Sequence, residues 1–117
     1  MKNTLTVHRG QVFYAELKND GTSRQSGIRP IIICSNEQAN RFSPIISCVS
    51  LTSSKTKNPL PTHIHISASE SGLKLDSIAL CEQPLSISKS DLKEYVCTLN
   101  EECMQKVSQG LRIQLAL

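Results

Sequence analysis

The sequence predicts a mainly β protein with helices: a small, strongly curved β-barrel or half-barrel carrying one C-terminal amphipathic helix. Three observations lead there. Short runs rich in Ile, Val and Leu recur from residue 11 to residue 81, bounded by Gly, Pro, Asn or Ser. Polar connections separate these runs. Near the end the period changes, and Met104, Val107, Leu111 and Leu115 fall at helical spacing.

Taken in order, residues 9–17 read as an opening strand, with Phe13, Ala15 and Leu17 on an apolar face and Val12, Tyr14 and Glu16 on a mixed one. Residues 18–26 form a polar connection holding Asn19-Asp20-Gly21, a strong turn signal. Gly27 and Pro30 punctuate the next turn, and Pro30 biases Arg29 toward an extended backbone. The β-branched run that follows, Ile31 to Cys34, reads as a buried second strand. Residues 35–44 connect to a third strand at 45–52, and the basic segment 53–61 leads to a fourth at 62–67. A fifth spans 77–83 and ends at Pro84. Ser88 caps a short helical turn expected within 88–95. In the final helix Asn100 caps, Glu101 and Glu102 complement the dipole, Leu99 staples onto Met104, and Gly110 is a weak spot.

A chain of 117 residues suits one domain, residues 1–117, with a real core. Without Trp, and with two Tyr and two Phe, that core is expected to be aliphatic. No apolar run is long enough to cross a bilayer, and residues 1–9 lack a signal-peptide stretch, so a cytoplasmic protein is expected. The five cysteines include no C-x-x-C pair. Free thiols are expected, with Cys97 and Cys103 the more exposed. Charge is uneven: residues 1–61 hold eight Lys/Arg against three Asp/Glu, whereas 62–117 hold five against seven. The basic half suits a polyanion, although charge alone does not tell RNA from DNA.

Arg29 stands at the mouth of a core strand, where a permanently charged guanidinium can grip a phosphate through two parallel hydrogen bonds. Thr52 ends another strand at the lip of the basic segment, and in a curved sheet two such ends can meet at one rim. Thr-Ser-Ser is equally an ordinary turn. Lys55 and Lys57 flank Thr52 and can hold a phosphate backbone, or simply be solvated. His63 and His65 share one strand face, which admits an exposed pair, an acid–base pair or, with a third ligand, a metal site.

Several short motifs occur in a telling order. Arg9-Gly10 precedes an aromatic strand, and Ser23-x-Gln25-x-Gly27-Ile28-Arg29-Pro30 leads into an apolar one. Ser35-Asn36, Asn40-Arg41-Phe42-Ser43-Pro44, Leu51-Thr52-Ser53, Leu60-Pro61-Thr62-His63, Asp76-Ser77 and Glu82-Gln83 follow. In this order and spacing the chain resembles the MazF/PemK family of toxin endoribonucleases along nearly its whole length. The resemblance implies an SH3-like barrel with added helices and a homodimer. It implies cleavage of single-stranded RNA, often mRNA, without metal or cofactor, leaving 2′,3′-cyclic phosphate and 5′-hydroxyl ends. It puts the catalytic Arg on Arg29, to stabilise the pentavalent phosphate, and the catalytic Thr on Thr52, to orient it. Arg24, Gln25, Ser53, Lys55 and Gln83 fall on substrate-binding surfaces. An acidic, MazE-like antitoxin would block the groove, operator DNA would be met only through it, and no membrane is involved.

The chain departs from the family in three places. Gln11 stands where many relatives have Asp, Arg24 where many have a Glu proposed as proton acceptor, and Leu85 where many have Arg. A second reading is a non-catalytic toxin of the same fold, acting on a topoisomerase or operator DNA. The Arg29/Thr52 pair favours the enzyme, since gyrase-binding relatives need no such pair.

Overall fold

The computed structural model describes residues 6–18, 21, 26–53 and 59–117. Its centre is the run Ile31-Ile32-Ile33, all fully buried. Ile32 joins one apolar cluster, while Ile31 and Ile33 join another on the opposite face. A strand covered on both faces needs a continuous apolar run rather than an alternating one, and this is why the segment reads as it does.

That strand, β2 (Gly27–Ile33), lies antiparallel between β1 (Gln11–Leu17) and β3 (Ile45–Thr52). β3 is long enough to serve two neighbours on its far edge. Its first half pairs with β6 (Leu85–Ser88), and Leu51 and Thr52 pair with β5 (Ser77–Leu80). β5 in turn pairs with β4 (His63–Ile66), and β7 (Leu92–Thr98) adds to the other side of β1. The pairing order is β4-β5-β3-β2-β1-β7, with β6 beside β3. The expected mainly β fold with helices is therefore present. The sheet is not closed, however: among the described residues β4 and β7 end it. Leu85, Ile87 and Leu92 pack against the second cluster, so β6 and the start of β7 cover that face.

The other face is covered by α3 (Glu101–Leu115), whose Cys103, Met104 and Val107 enter the first cluster with Val12, Ile32, Val49 and Leu51. Asn100 caps α3 through its side chain to the Cys103 N–H at 2.8 Å. Leu99 and Met104 are both buried in this cluster, in keeping with the expected staple. Two expectations about this helix are corrected. Leu115 is 53% exposed, outside the buried part of the apolar stripe. Gly110 is a point of close packing: a Cβ there would sit 2.9 Å from Cys81 Sγ and 3.1 Å from Ile64 Cγ1. The helix-propensity cost of glycine is thus offset by close approach to β4 and to Cys81 just after β5.

Gly10 has a comparable role at the other end of α3. It takes φ 94°, and a Cβ would meet Met104 Cγ at 3.3 Å. Its N–H donates to Ile33 O and its carbonyl accepts from Leu99 N–H, each at 2.9 Å. Arg9 beside it donates to Cys34 O at 3.0 Å and to Ser108 Oγ. The Arg9-Gly10 pair therefore ties β1 to β2 and to the final helix. Gln11 accepts from His8 N–H at 2.8 Å.

Three further corrections concern short elements. The connection 35–44 contains α1 (Glu37–Phe42), capped by Asn36, whose side chain accepts from Ala39 N–H at 2.8 Å. Residues 68–71 form α2 (Ala68–Ser71), ended by Gly72 at φ 87°. The helical turn expected within 88–95 is confined to a single 3-10 turn, Lys89–Asp91, capped by Ser88. Strands β6 and β7 take the residues on either side. All five cysteines are free, but Cys103 is buried, not exposed, because it faces the sheet. Burial pushes the Cys48 and Cys81 thiols up to about 12 and the Cys34 thiol to about 11, which keeps them protonated and inert.

Candidate active site

Arg29 lies on β2 opposite Ala15, with Pro30 opposite Tyr14. It is exposed, and its Nε donates to Ser26 O at 3.0 Å, which anchors the guanidinium near the strand. On the neighbouring strand Ile31 pairs with Ser50. Arg29 and Thr52, the two side chains that the sequence singled out, thus lie on neighbouring strands.

Both line one cleft of about 450 Å³. Its wall carries two cations, Arg29 and Lys74, and three hydroxyl residues, Thr52, Ser53 and Ser77. Tyr14 and Tyr95 contribute aromatic rings, and Glu94 is the one carboxylate of the lining among the described residues. Tyr95 is held by an edge-on contact of 5.7 Å between its ring and that of Phe13, and by a 2.7 Å hydrogen bond to Thr98 Oγ1. Guanidinium, ammonium and hydroxyl donors suit a phosphodiester, and aromatic faces suit unstacked bases. A second depression, of about 260 Å³, is lined by Glu16, Lys18 and Asp91 among others. With two carboxylates against one cation it repels a phosphate, so the Arg29 cleft is the candidate.

Other sequence-predicted site residues fall differently. Ser53 joins the cleft. Gln83 is half-buried in the turn after β5 and is outside the cleft lining. Arg24, Gln25 and Lys55 lie outside the described residues. Leu85 packs against the second apolar cluster.

The expectation of an exposed His63/His65 pair is corrected. His65 is exposed, but the His63 side chain is 6% exposed and pairs with Glu82 at 2.9 Å. Its Nδ1 accepts from Leu60 N–H at 3.1 Å, so the ring proton sits on Nε2 and faces Glu82. With both nitrogens engaged, His63 has no lone pair left for a metal.

Tyr14, Lys74, Glu94 and Tyr95 were not among the residues singled out from sequence. Lys74 belongs to the segment between α2 and β5, and the other three are spread over β1 and β7. No apolar–polar alternation runs through residues 92–98, so the sequence carried no strand signal for Glu94 and Tyr95.

An open, helix-backed antiparallel sheet with a cationic, hydroxyl-rich and aromatic cleft at its rim defines a class of protein suited to single-stranded, phosphate-bearing ligands. The model of the PemK-like, MazF-like toxins of type II toxin–antitoxin systems matches residues 8–115, and the chain belongs to that family. It is 39% identical over 113 residues to the endoribonuclease EndoA of Bacillus subtilis, covering 97% of each chain. It is 35% identical over 111 residues to the endoribonuclease MazF of Staphylococcus saprophyticus, covering 95% of this chain and 92% of that one. A mycobacterial endoribonuclease solved in complex with its cognate antitoxin has the same fold, with a TM-score of 0.73 at 24% identity, over 96% of this chain and 95% of that one.

Proposed function

We propose that this chain is the toxin of a type II toxin–antitoxin pair and a sequence-specific endoribonuclease acting on single-stranded RNA, mRNA above all, without a metal. The observation that carries the reading is the convergence of Arg29 and Thr52 on one cleft. Membership of the toxin family and two curated endoribonuclease relatives matched across nearly the full chain support it.

In the proposed reaction the ribose 2′-oxygen attacks the adjacent phosphorus and loses its proton. The phosphorus–O5′ bond breaks, and the departing O5′ takes up a proton. The products are a 2′,3′-cyclic phosphate and a 5′-hydroxyl. Between them stands a pentavalent, dianionic phosphorus, and the Arg29 guanidinium supplies fixed positive charge where that negative charge develops. Thr52 Oγ1 donates to a non-bridging oxygen and sets the line of attack. Gln83, Ser53 and the segments 18–28 and 53–61, with Arg24, Gln25 and Lys55, read the flanking nucleotides. A single domain over residues 1–117 does this work in the cytoplasm as a homodimer. A cognate acidic antitoxin of the MazE type neutralises it, and operator DNA is reached only through that partner.

Phosphate contacts release counterions, so binding should weaken with salt by about 0.7 log units per log unit for each phosphate held. Measured by fluorescence anisotropy with 2′-O-methylated single-stranded RNA, which lacks the nucleophile, affinity is expected to fall at least tenfold between about 50 and 200 mM salt. A flat response would contradict a phosphate-gripping cleft.

A further inference from the structure

Two consecutive residues of β7, Glu94 and Tyr95, line the Arg29 cleft together with Tyr14 of β1. In a regular strand consecutive side chains point to opposite faces, so one of the two would be turned away. The register explains the exception. Between the pairs Phe13–Tyr95 and Ala15–Leu92, β7 carries two residues, Lys93 and Glu94, where β1 carries only Tyr14. Such a bulge re-aims the side chains around it. Packing shows its effect: Leu92 joins the second apolar cluster and Val96 the first, although even spacing would keep them on one face. On its other edge Tyr14 pairs with Pro30, the neighbour of Arg29. The bulge thus gathers one carboxylate and two aromatic rings in the cleft that holds the guanidinium.

We propose that Tyr14, Glu94 and Tyr95 form a base-recognition subsite for an unpaired guanine next to the phosphate held at Arg29. The proposal rests on the endoribonuclease reading and deepens it by naming a base and the residues that read it. The rings supply faces: Tyr14 is 37% and Tyr95 53% exposed, and base–aromatic stacking needs no particular base. Tyr95 is already held, by Phe13 at its ring and by Thr98 at its hydroxyl, so stacking on it costs little ordering. Glu94 supplies the choice. In a cleft suited to phosphate a carboxylate weakens binding unless it accepts hydrogen bonds from another group. It is exposed, and among the described residues no ion pair engages it. A carboxylate offers two acceptors side by side and no donor. Guanine alone presents two adjacent donors, N1–H and N2–H, on its Watson–Crick edge. Adenine and cytosine set one donor beside an acceptor nitrogen, and uracil sets one between two acceptors. Each of these meets the second carboxylate oxygen with repulsion.

Wild type, Glu94→Gln and Tyr95→Leu would be given a randomised single-stranded RNA pool, and the cut ends sequenced. Affinity would be read by fluorescence anisotropy on 2′-O-methylated oligonucleotides, which lack the nucleophile. These carry guanine or another base at one position of an otherwise uridine strand. Thermal unfolding would establish that the variants fold. Wild type is expected to prefer guanine at one position beside the cut, by about tenfold or more in both assays. Glu94→Gln should lose that preference and leave the other positions of the motif unchanged. Tyr95→Leu should weaken binding about tenfold whichever base is present. A wild-type motif without guanine would overturn the subsite, as would a guanine preference that survives Glu94→Gln or binding unchanged in Tyr95→Leu. Uniformly tighter binding by Glu94→Gln with the same motif would mark a carboxylate that merely repels phosphate, and would overturn the role. So would a uniform loss of kcat with the same motif. A pool left uncut by wild type would overturn the endoribonuclease reading. The subsite is then judged by anisotropy, and it fails if wild type shows no guanine preference that Glu94→Gln removes.

Discussion

Arg29→Ala is expected to lower RNA cleavage by about three orders of magnitude while leaving the fold intact. Deleting a single preorganised donor from a site of developing negative charge typically costs about 10²–10³ in rate, and fixed guanidinium charges reach higher. Arg29 is exposed, and its recorded bond is to Ser26 O, near the polar connection rather than in the core. Its loss therefore opens no cavity, and surface substitutions of this kind stay within about 0.5 kcal/mol of wild-type stability. Arg29→Lys should recover little, because an ammonium keeps the charge and loses the planar fork. The measurement is the single-turnover rate on a structure-poor RNA, with circular dichroism to establish folding. Cleavage at wild-type rate by folded Arg29→Ala would contradict the mechanism.

The second large effect concerns stability. Asn40 is fully buried at the end of α1 and is the hub of a polar network. Its Nδ2 donates to Ser35 O and to Glu37 Oε1, each at 2.9 Å, and its Oδ1 accepts from Ser35 Oγ. Ser35 Oγ in turn accepts from Ser47 N–H, and Glu37 Oε1 from Arg9 N–H. Asn40→Leu keeps the volume and leaves these partners facing an apolar group. Each buried group left unmade costs about 1–3 kcal/mol, so a loss of about 2–4 kcal/mol is expected in urea unfolding. A change below about 0.5 kcal/mol would contradict the hub role.

The same network sets a pH dependence. The Asn40 hydrogen bond, followed by the Arg9 N–H, holds the Glu37 carboxyl below its ordinary value. A carboxyl lowered in the folded state contributes stability above its unfolded pKa and loses it as pH falls through the folded one. In Asn40→Leu the main cause of that lowering is gone. The stability difference between wild type and variant should therefore narrow on acidification.

How far the molecule could be read from its residues varied along the chain. β1, β2 and β3 were legible because alternation and β-branched runs report burial directly, on one face for β1 and on both for Ile31–Ile33. β6 and β7 were not, because Ser88, Lys89 and Asp91 look like the start of a helix. A cap does form there, but tertiary pairing with β3 and β1 confines it to one turn. α1 was hidden in a connection although Asn36 and Glu37 carried its start signal. Of the residues that line the cleft, Arg29 and Thr52 were singled out from the sequence. Lys74, Glu94 and Tyr95 were not, because they reach the cleft from segments distant in the chain. His63 was misplaced on an exposed face because alternation gives the side of a strand and not what covers it.

The measurement that tests the central claim most directly is incubation of purified protein with a long, structure-poor RNA in EDTA, with the cut ends mapped by sequencing and their chemistry determined. The account predicts discrete cuts sharing a short sequence, with cyclic phosphate on one side and 5′-hydroxyl on the other, and their loss in Arg29→Ala and Thr52→Ala. RNA left intact by folded wild-type protein, or cuts with 5′-phosphate ends that return only when a divalent metal is added, would contradict it.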